Sequence, residues 1–348
     1  MTSARNSIVD YSETKWFHCI SRIARSLPSL QSKSGLTKNW LVNRIRELSE
    51  IFAIQVGGHA IMGTHFHLLL RVEIEEAAEL TAVDVARRWA KAYPPKDRKR
   101  RILRDEELEF WIHEMAKDRN WIEIRRQRLQ DLGWFHKLLK QPLSTLVNRL
   151  EGKSGTLFQG RYKSIAVIGL RALLNVCIYI DLNPVAAGVV SLPEQGEHTS
   201  FRLRFENAIR SSGLPGLLDD FVKCKINPEK SADAEHNLWL IAIENRTPCS
   251  TDKIGMFDDL SLIQYFLLVD EAGRVPRTGK ASISNEAIAI LDRLGFDHQT
   301  WALQQQALCE GKFRGHYFAT SKVELTKIAA RRGVKNIVNL NNCPLCEM

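Results

Sequence analysis

The hydrophobic and polar positions in the first part of the chain predict three strands and one helix. Residues 15–23, KWFHCISRI, alternate in part between apolar and polar side chains, which is typical of a strand. Apolar residues at helical spacing over 37–52 predict a helix, and residues 53–62 predict a second strand. The glycine and threonine at 63–64 suit a tight turn before the strongly apolar strand at 65–72. The predicted order is β-α-β-β, with the last two strands forming a hairpin.

The next part of the chain changes character. Residues 73–135 are rich in charge, as in KDRKRRILRDEE, and predict helices and loops with a solvated face. A further helix is predicted over 138–149, and residues 156–168 contain a strand. The helix predicted over 171–182 should stop before Pro184, because proline cannot continue the hydrogen-bond ladder.

The chain after about residue 205 predicts a separate, mostly helical C-terminal domain. Prolines interrupt it, and helical patterns recur near residues 260–268, 285–294 and 322–332. We therefore predict an α+β protein with two domains: residues 10–205, carrying the charged helical insertion at about 73–135, and residues 206–348.

The composition of the chain favours some classes of protein over others. The 348 residues include 49 Lys and Arg against 40 Asp and Glu, a net charge of +9 that suits a polyanionic partner such as nucleic acid. Seven cysteines, an odd number, argue against a disulfide framework and for a reducing compartment. Residues 1–11 lack the apolar core of a secretory signal, and no apolar run is long enough to cross a membrane. We expect a soluble, cytoplasmic protein.

The first candidate for chemistry is the sequence His65-Phe66-His67. On a strand, side chains two residues apart leave the same face, so the two imidazoles can converge on one divalent ion. The alternative is that one histidine lies at the surface and the other is a hydrogen-bonded core residue.

The second candidate combines Tyr179 and Asn183 in the sequence YIDLN. Their spacing of four places both side chains on one helical face. The Asn183 oxygen suits a hard cation such as Mg²⁺, and a tyrosine beside that ion can attack a phosphodiester and remain covalently linked to DNA. Taken alone, this pair is as well explained by a tyrosine at the edge of the core and an asparagine that ends a helix before proline.

The third candidate is the segment FQGRYK at 158–163. Basic and aromatic side chains interleave here, which suits phosphate contacts combined with base stacking. Phe158, Arg161 and Lys163 are therefore candidate DNA contacts. An edge strand with solvated Arg and Lys side chains is the alternative.

Cysteines and histidines outside these motifs carry weaker signals. Cys343 and Cys346 have the spacing of half a zinc site, which Cys309 or His316 would have to complete, and the alternative is a frayed tail. Four other histidines are isolated in their local sequence and receive no function from it: His18, His59, His113 and His136.

Several of these segments, taken together, resemble one family. GGHAIMGTHFHLLLRV resembles the hairpin that carries the His-hydrophobic-His (HUH) motif of single-tyrosine transposases. GTLFQGRYKSIAVI followed by YIDLNPVAAGVV resembles the tyrosine-helix region of the REP-associated tyrosine transposases and their insertion-sequence relatives. KWFHCISRIARS looks like the family's first strand, and LIQYFLLVDEAGRVPRTGKASI with ILDRLGFDHQTW is similar to the tail of longer members.

The resemblance implies a fold, a site and a reaction. The fold is a ferredoxin-like antiparallel sheet with helices on one face. His65, His67 and Asn183 would hold Mg²⁺ or Mn²⁺, and Tyr179 would be the nucleophile in a transesterification of single-stranded or hairpin DNA, leaving a 5′-phosphotyrosine link. Family members often act as homodimers, so a homodimer is implied as well.

The chain departs from the family pattern at three places. Thr64 stands where the family has Asn, Ala186 stands where it has Arg, and the FWEGR-like run appears as FQGR. None of these changes removes a metal ligand or the nucleophile. Losing the arginine is expected to weaken the grip on DNA or to alter hairpin preference.

Two rival hypotheses belong to other classes. The chain is a non-catalytic, structure-specific DNA-binding protein descended from a transposase, or the histidine pair serves a metal hydrolase unrelated to DNA. The first predicts binding without cleavage, and the second predicts Tyr179 away from the histidines.

Overall fold

The structure is a computed structural model that describes residues 14–24, 36–190, 192–212, 238–245, 255–274 and 317–319. Described residues fall into two compact units. The first unit contains residues 14–21, 56–70 and the described chain from 163 onward, and the second contains residues 22–55 and 71–162. The domain boundaries predicted above stay a prediction.

A five-stranded sheet forms the framework of the first unit, and the ends of three strands run into the second. Its strand order is β2-β3-β1-β4-β5, in which the first four strands are antiparallel and β5 runs parallel to β4. The strand bounds are β1 Trp16–Arg22, β2 Ile54–Ile61, β3 His65–Val72, β4 Lys163–Ile168 and β5 Tyr317–Ala319.

Helices dominate the second unit. They are α1 Leu36–Ile51, α2 Ile74–Glu79, α3 Ala82–Ala92, α4 Asp105–Ala116, α5 Arg119–Leu129 and α6 Leu132–Glu151. Helix α1 packs on α6, and α3 packs on α4 and α5. Side-chain caps set the starts of three helices, because Thr81, Asp118 and Asp131 each accept a hydrogen bond from a backbone N–H in the first turn.

The helices of the first unit are α7 Leu170–Asp181, α8 Asn183–Ala186, α9 Ser200–Ser212 and α10 Leu262–Arg274. The chain passes from β4 into α7 through Gly169 alone, at φ 83°, a left-handed conformation that favours glycine. Buried residues of α7, including Leu173 and Val176, pack against Leu69 and Ile165 of the sheet and against α10. Helix α7 therefore lies on the sheet face that carries Leu69 and Ile165.

The pairing of β1 with β4 determines which side chains of β1 face α7. In the antiparallel ladder of β1 with β4, His18 lies opposite Ile165 and Ile20 lies opposite Lys163. Because side chains alternate along a strand, His18 and Ile20 share the face of Ile165. A histidine is thereby placed among the apolar residues beneath α7.

The strands and helices predicted in the first part of the chain are confirmed within one or two residues, including β3 at His65–Val72. Predicted helix 138–149 is longer and begins at Leu132, because Asp131 caps it and Pro142 is accommodated inside it. The chain does not become irregular at Pro184. Instead, Pro184 lies in the first turn of the short helix α8, where its missing N–H is tolerated.

The α+β class is confirmed as a mixed structure with a four-stranded antiparallel sheet and helices. Cys343, Cys346 and the helical patterns at 285–294 and 322–332 lie outside the described residues. Within the described ranges, no helix is long and apolar enough to cross a membrane.

Candidate active site

The hairpin of β2 and β3 presents the histidine pair. A tight turn connects the strands, with the Met62 N–H donating to the His65 carbonyl at 2.8 Å. Both imidazoles leave the same face of β3, and their ring centroids are 4.9 Å apart. His67 is 3% exposed, whereas His65 is half-buried. One histidine is therefore fixed in the interior and the other lies at its edge.

Helix α7 and the start of α8 bring the second predicted pair to this place. The half-buried ring of Tyr179 lies 5.5 Å from the His67 ring, centroid to centroid, at an interplanar angle of 82°. The Asn183 amide nitrogen lies 3.4 Å from His67 Nε2. The structure thus places all four residues predicted for metal binding and nucleophilic attack in one cluster of the first unit.

A third histidine, His18 of β1, belongs to the same cluster. Its Nε2 lies 2.9 Å from His67 Nδ1 in a buried hydrogen bond, and the two rings stack at 5.1 Å. Its ring is also 5.8 Å from that of Tyr179. The sequence contained a signal, since His18 is a polar residue on the inward face of an otherwise apolar strand. Nothing local, however, indicated that β1 pairs beside β3.

The electrostatic environment keeps His18 neutral. Burial, together with the positive charge of Lys163, lowers the pKa of His18 from its ordinary value near 6.5 to about 3. In the bond between two neutral imidazoles, one ring donates and the other accepts. His18 Nε2 can therefore accept a hydrogen bond from the His67 Nδ1–H at neutral pH while the His18 ring stays uncharged.

The donor atoms fit a divalent metal ion. A ligating histidine uses one ring nitrogen and hydrogen-bonds through the other. The Nδ1 of His65 contacts Thr64 Oγ1 at 3.1 Å, and the Nδ1 of His67 contacts His18, so Nε2 is the nitrogen that would ligate an ion in both rings. Because amide oxygen and nitrogen are assigned from their surroundings, Asn183 can turn its oxygen toward the same point. Two imidazoles and an amide oxygen suit Mn²⁺, and suit Mg²⁺ less well.

The described residues contain no group of three or more His, Cys, Asp or Glu side chains arranged to hold a metal ion. The expected set has only two histidines plus Asn183. An ion held here would need oxygen atoms from water or from a phosphate to complete its coordination. Metal-dependent chemistry at the cluster would thus depend on water or a phosphate group to supply the remaining oxygen ligands.

A buried polar network fixes the end of α7. One carboxylate oxygen of Asp181 accepts from Ser200 Oγ at 2.6 Å and from the Phe201 N–H at 3.1 Å, and the other accepts from the Tyr265 hydroxyl at 2.6 Å. Burial raises the pKa of Asp181, while the charge of Arg204 and the three donors oppose that rise. These bonds tie the helix that carries Tyr179 to α9 and α10.

Arg204 completes the network. It is 1% exposed and donates from Nη2 to the carbonyls of Gly57 and Ile241, both at 2.8 Å. Gly57 leaves room for the Trp16 side chain, because a Cβ atom at that position would lie 2.5 Å from the Trp16 ring. No local pattern in the sequence indicated a role for any of these residues.

The three predicted DNA contacts have different surroundings. Lys163 is exposed at the start of β4 in the first unit, on the site face of the sheet. Arg161 is exposed in the second unit. Phe158, also in the second unit, is 9% exposed, and its ring lies 4.2 Å from the Lys140 ammonium. Their role in binding DNA stays a prediction, in which Arg161 and Lys163 are the accessible members.

Comparisons with known proteins add little at the sequence level. No family model matches the chain, and no curated protein matches it. Among solved structures, the chain is similar to the structure of a REP-associated tyrosine transposase bound to a REP hairpin. The two are 10% identical with a TM-score of 0.35, over 59% of this chain and 86% of the other. A likeness at this level does not decide what the chain does.

Proposed function

We propose that this chain is a metal-dependent transposase-like endonuclease that cleaves and rejoins single-stranded DNA through Tyr179. The observation that carries the proposal is the contact of Tyr179 with the histidine cluster, with ring centroids 5.5 Å apart for Tyr179 and His67 and the Asn183 amide 3.4 Å from His67. A nucleophile and a metal-holding set from distant parts of the sequence meet in one place. A metal hydrolase unrelated to Tyr179 would not need this arrangement.

The fold is part of the proposal. The strand order β2-β3-β1-β4, with a helix between β1 and β2 and further helices between β3 and β4, is that of a ferredoxin-like sheet. Such a sheet sets β1 beside β3, which is how His18 reaches His67.

His65, His67 and Asn183 are the residues that would hold Mg²⁺ or Mn²⁺. When bound, the ion supplies Lewis-acid polarisation of the scissile phosphate. His18 is a positioning residue, because its Nε2 holds His67 Nδ1 and thereby directs His67 Nε2 outward. Thr64, which stands where the resemblance expects Asn, does the same for His65.

Tyr179 performs the covalent step. Its phenol oxygen forms a bond to the phosphorus, and the bond from phosphorus to the 3′ oxygen breaks. The phenol loses one proton and the leaving oxygen gains one, so the products are a 5′-phosphotyrosine and a free 3′-hydroxyl. Reversal of the step on a new 3′-hydroxyl would rejoin the strand, which suits a transposase.

Exposed cations would hold the DNA backbone. Lys163 lies on the site face next to Ile20 in the β1–β4 ladder, and Arg161 is exposed two residues earlier. Single-stranded or hairpin DNA is the substrate in this proposal, as the resemblance implies. We include a homodimer in the proposal as the form implied by resemblance.

The test is a covalent adduct. Purified protein is incubated with single-stranded hairpin DNA from the flanks of its gene and Mn²⁺ or Mg²⁺, and the products are separated under denaturing conditions. We expect a protein–DNA adduct that is absent in Tyr179→Phe. Tyr93→Phe is the matched control, since it keeps the aromatic ring and removes only a buried hydroxyl that makes no hydrogen bond within the described residues.

Two outcomes contradict the proposal. An adduct that persists in Tyr179→Phe would place the nucleophile elsewhere. Tight hairpin binding without an adduct in any variant would support the non-catalytic DNA-binding alternative.

A further inference from the structure

The second unit contains a group of aromatic side chains from four helices, which we call the tryptophan cluster. Its members are Trp89, Tyr93, Trp111, Trp121 and Trp134. Trp89 stacks on Tyr93 at 5.0 Å and meets Trp134 edge-on at 5.6 Å. Trp111 meets Trp121 edge-on at 5.7 Å. Trp89 is buried, whereas Trp121 and Trp134 are half-buried, so part of the cluster reaches solvent.

Three cations lie on the faces of these rings. The Arg125 guanidinium is 4.4 Å from the Trp121 centroid, and the Arg128 guanidinium is 4.4 Å from that of Trp134. Both guanidiniums also lie near Trp89, at 5.8 and 5.6 Å. The exposed Lys137 ammonium is 4.2 Å from the Trp134 centroid.

Among the residues that the structure describes, none of these three cations has an ion pair or a hydrogen-bonding side-chain partner. Other arginines in the same helices do: Arg126 pairs with Glu123 at 3.3 Å, and Arg87 pairs with Glu109 at 2.8 Å. Arg125 Nε is buried and has no hydrogen-bond partner there. Burial, with the charge of Arg128 as the second cause, lowers the pKa of Arg125. The charge of the Asp118 carboxylate opposes this lowering but makes no ion pair with Arg125, so positive charge is concentrated at the cluster.

This arrangement suits one kind of ligand. A guanidinium stacked on an indole is fixed in orientation, and its N–H edge can form two parallel bonds to phosphate oxygens. Partly exposed indoles beside such cations are surfaces on which bases stack. An acidic peptide would use the charge but would leave the aromatic edges without a stacking partner.

We propose that the tryptophan cluster with Arg125, Arg128 and Lys137 is a binding surface for the phosphate backbone and bases of single-stranded DNA. The choice of DNA as partner rests on the function proposed above. This surface belongs to the charged helical segment that the sequence analysis interpreted as solvated, and it contains no residue of the histidine site. It gives that segment a role in binding the DNA substrate.

The experiment measures DNA binding under conditions that prevent cleavage. Tyr179→Phe protein in EDTA is titrated with fluorescein-labelled oligo-dT, and tryptophan fluorescence and label anisotropy are followed at several salt concentrations. We expect quenching of tryptophan fluorescence on binding. Arg128→Gln should weaken binding about tenfold and flatten the log–log salt dependence by about 0.7. Because no step needs the nucleophile, failure of the cleavage assay does not alter this result.

Matched variants separate specific loss from general charge loss. Arg46→Gln removes the same charge from α1 of the same unit, where Arg46 pairs with Glu50 at 3.5 Å, and should change binding less than about twofold. Lys137→Gln alters an exposed side chain that the fold does not need, so its weaker binding cannot reflect unfolding. Equal losses in Arg128→Gln, Lys137→Gln and Arg46→Gln would overturn the proposal. Equal quenching by a poly-glutamate peptide would overturn it as well.

Discussion

Polar side chains have opposite surroundings in the two compact units. In the first, polar side chains are buried and paired: His18 with His67, Asp181 with three donors, and Arg204 with two carbonyls. In the second, the cations Arg125 and Arg128 lie on aromatic rings near the surface and have no carboxylate partner among the described residues. Buried, satisfied networks hold atoms in defined positions, which chemistry needs. Cations that are held on aromatic rings without an ion pair can contact a ligand, which binding needs.

We therefore expect mutations in the two units to affect different properties of the protein. Removing one member of a buried network leaves other polar groups desolvated and unpaired, so the cost appears in stability. Removing a cation from an open surface leaves nothing unpaired, so the cost appears in ligand binding. The predictions below test this contrast, from the largest expected effect to the smallest.

Asp181→Ala should destabilise the protein most. The change removes the acceptor for Ser200, Phe201 and Tyr265, together with the carboxylate whose charge interacts with that of buried Arg204, at a cost of roughly 3–5 kcal/mol. Urea denaturation followed by circular dichroism measures the free energy of unfolding. Asp270→Ala is the control, since Asp270 pairs with Arg274 at the surface and its loss should cost less than about 1 kcal/mol. Similar losses in both variants would contradict a special role for the buried network.

His18→Leu should weaken metal binding rather than stability alone. Without an acceptor at His67 Nδ1, the ligating nitrogen loses its orientation, and the affinity for Mn²⁺ should fall about 10- to 100-fold. Calorimetric titration with Mn²⁺ measures this directly and without substrate. His18→Gln, which keeps an acceptor, should recover part of the affinity.

His113→Leu serves as the matched control for His18→Leu, because His113 is exposed on α4 in the second unit. Its Mn²⁺ affinity should equal that of the unmodified protein. If His18→Leu also binds Mn²⁺ normally, His18 does not orient His67.

Thr81→Ala should have the smallest of these effects. Thr81 begins α3 with a capping box, in which its hydroxyl accepts from the Asp84 N–H at 3.1 Å and the Asp84 carboxylate accepts from the Thr81 N–H at 3.1 Å. Loss of the cap should cost about 1 kcal/mol in free energy of unfolding. Ser49→Ala in α1, which removes only a bond to the Arg46 carbonyl, should cost less. A larger loss for Ser49→Ala would show that caps do not control the second unit.

Local periodicity in the sequence was enough to predict which candidate residues share one face of a strand or helix. The two-residue repeat of β3 placed His65 and His67 on one face, and the four-residue spacing in α7 related Tyr179 to Asn183. Strand alternation and helical spacing are local properties, so a single sequence contains them. That these two pairs meet was inferred from resemblance to a family, and the geometry agrees.

The missed residues depend on pairings between distant segments. His18 acquires its role only because β1 lies beside β3, and Arg128 acquires its role because α3, α5 and α6 bring three tryptophans together. From its local sequence alone, Asp181 is simply the last polar residue of a helix. Its partner Tyr265 is 84 residues away. No periodicity within one element indicates such neighbours.

The hydrogen bond from Tyr265 to Asp181 has a consequence for the order of synthesis. Domains generally fold as units during translation, from the N-terminus onward. The helix that carries Tyr179 emerges from the ribosome well before Tyr265, and until then its buried carboxylate lacks one of its three donors. Nascent chains that end before α10 would therefore hold Tyr179, the proposed nucleophile, on an unfinished support, and the proposed activity would arise only late in the synthesis of the protein.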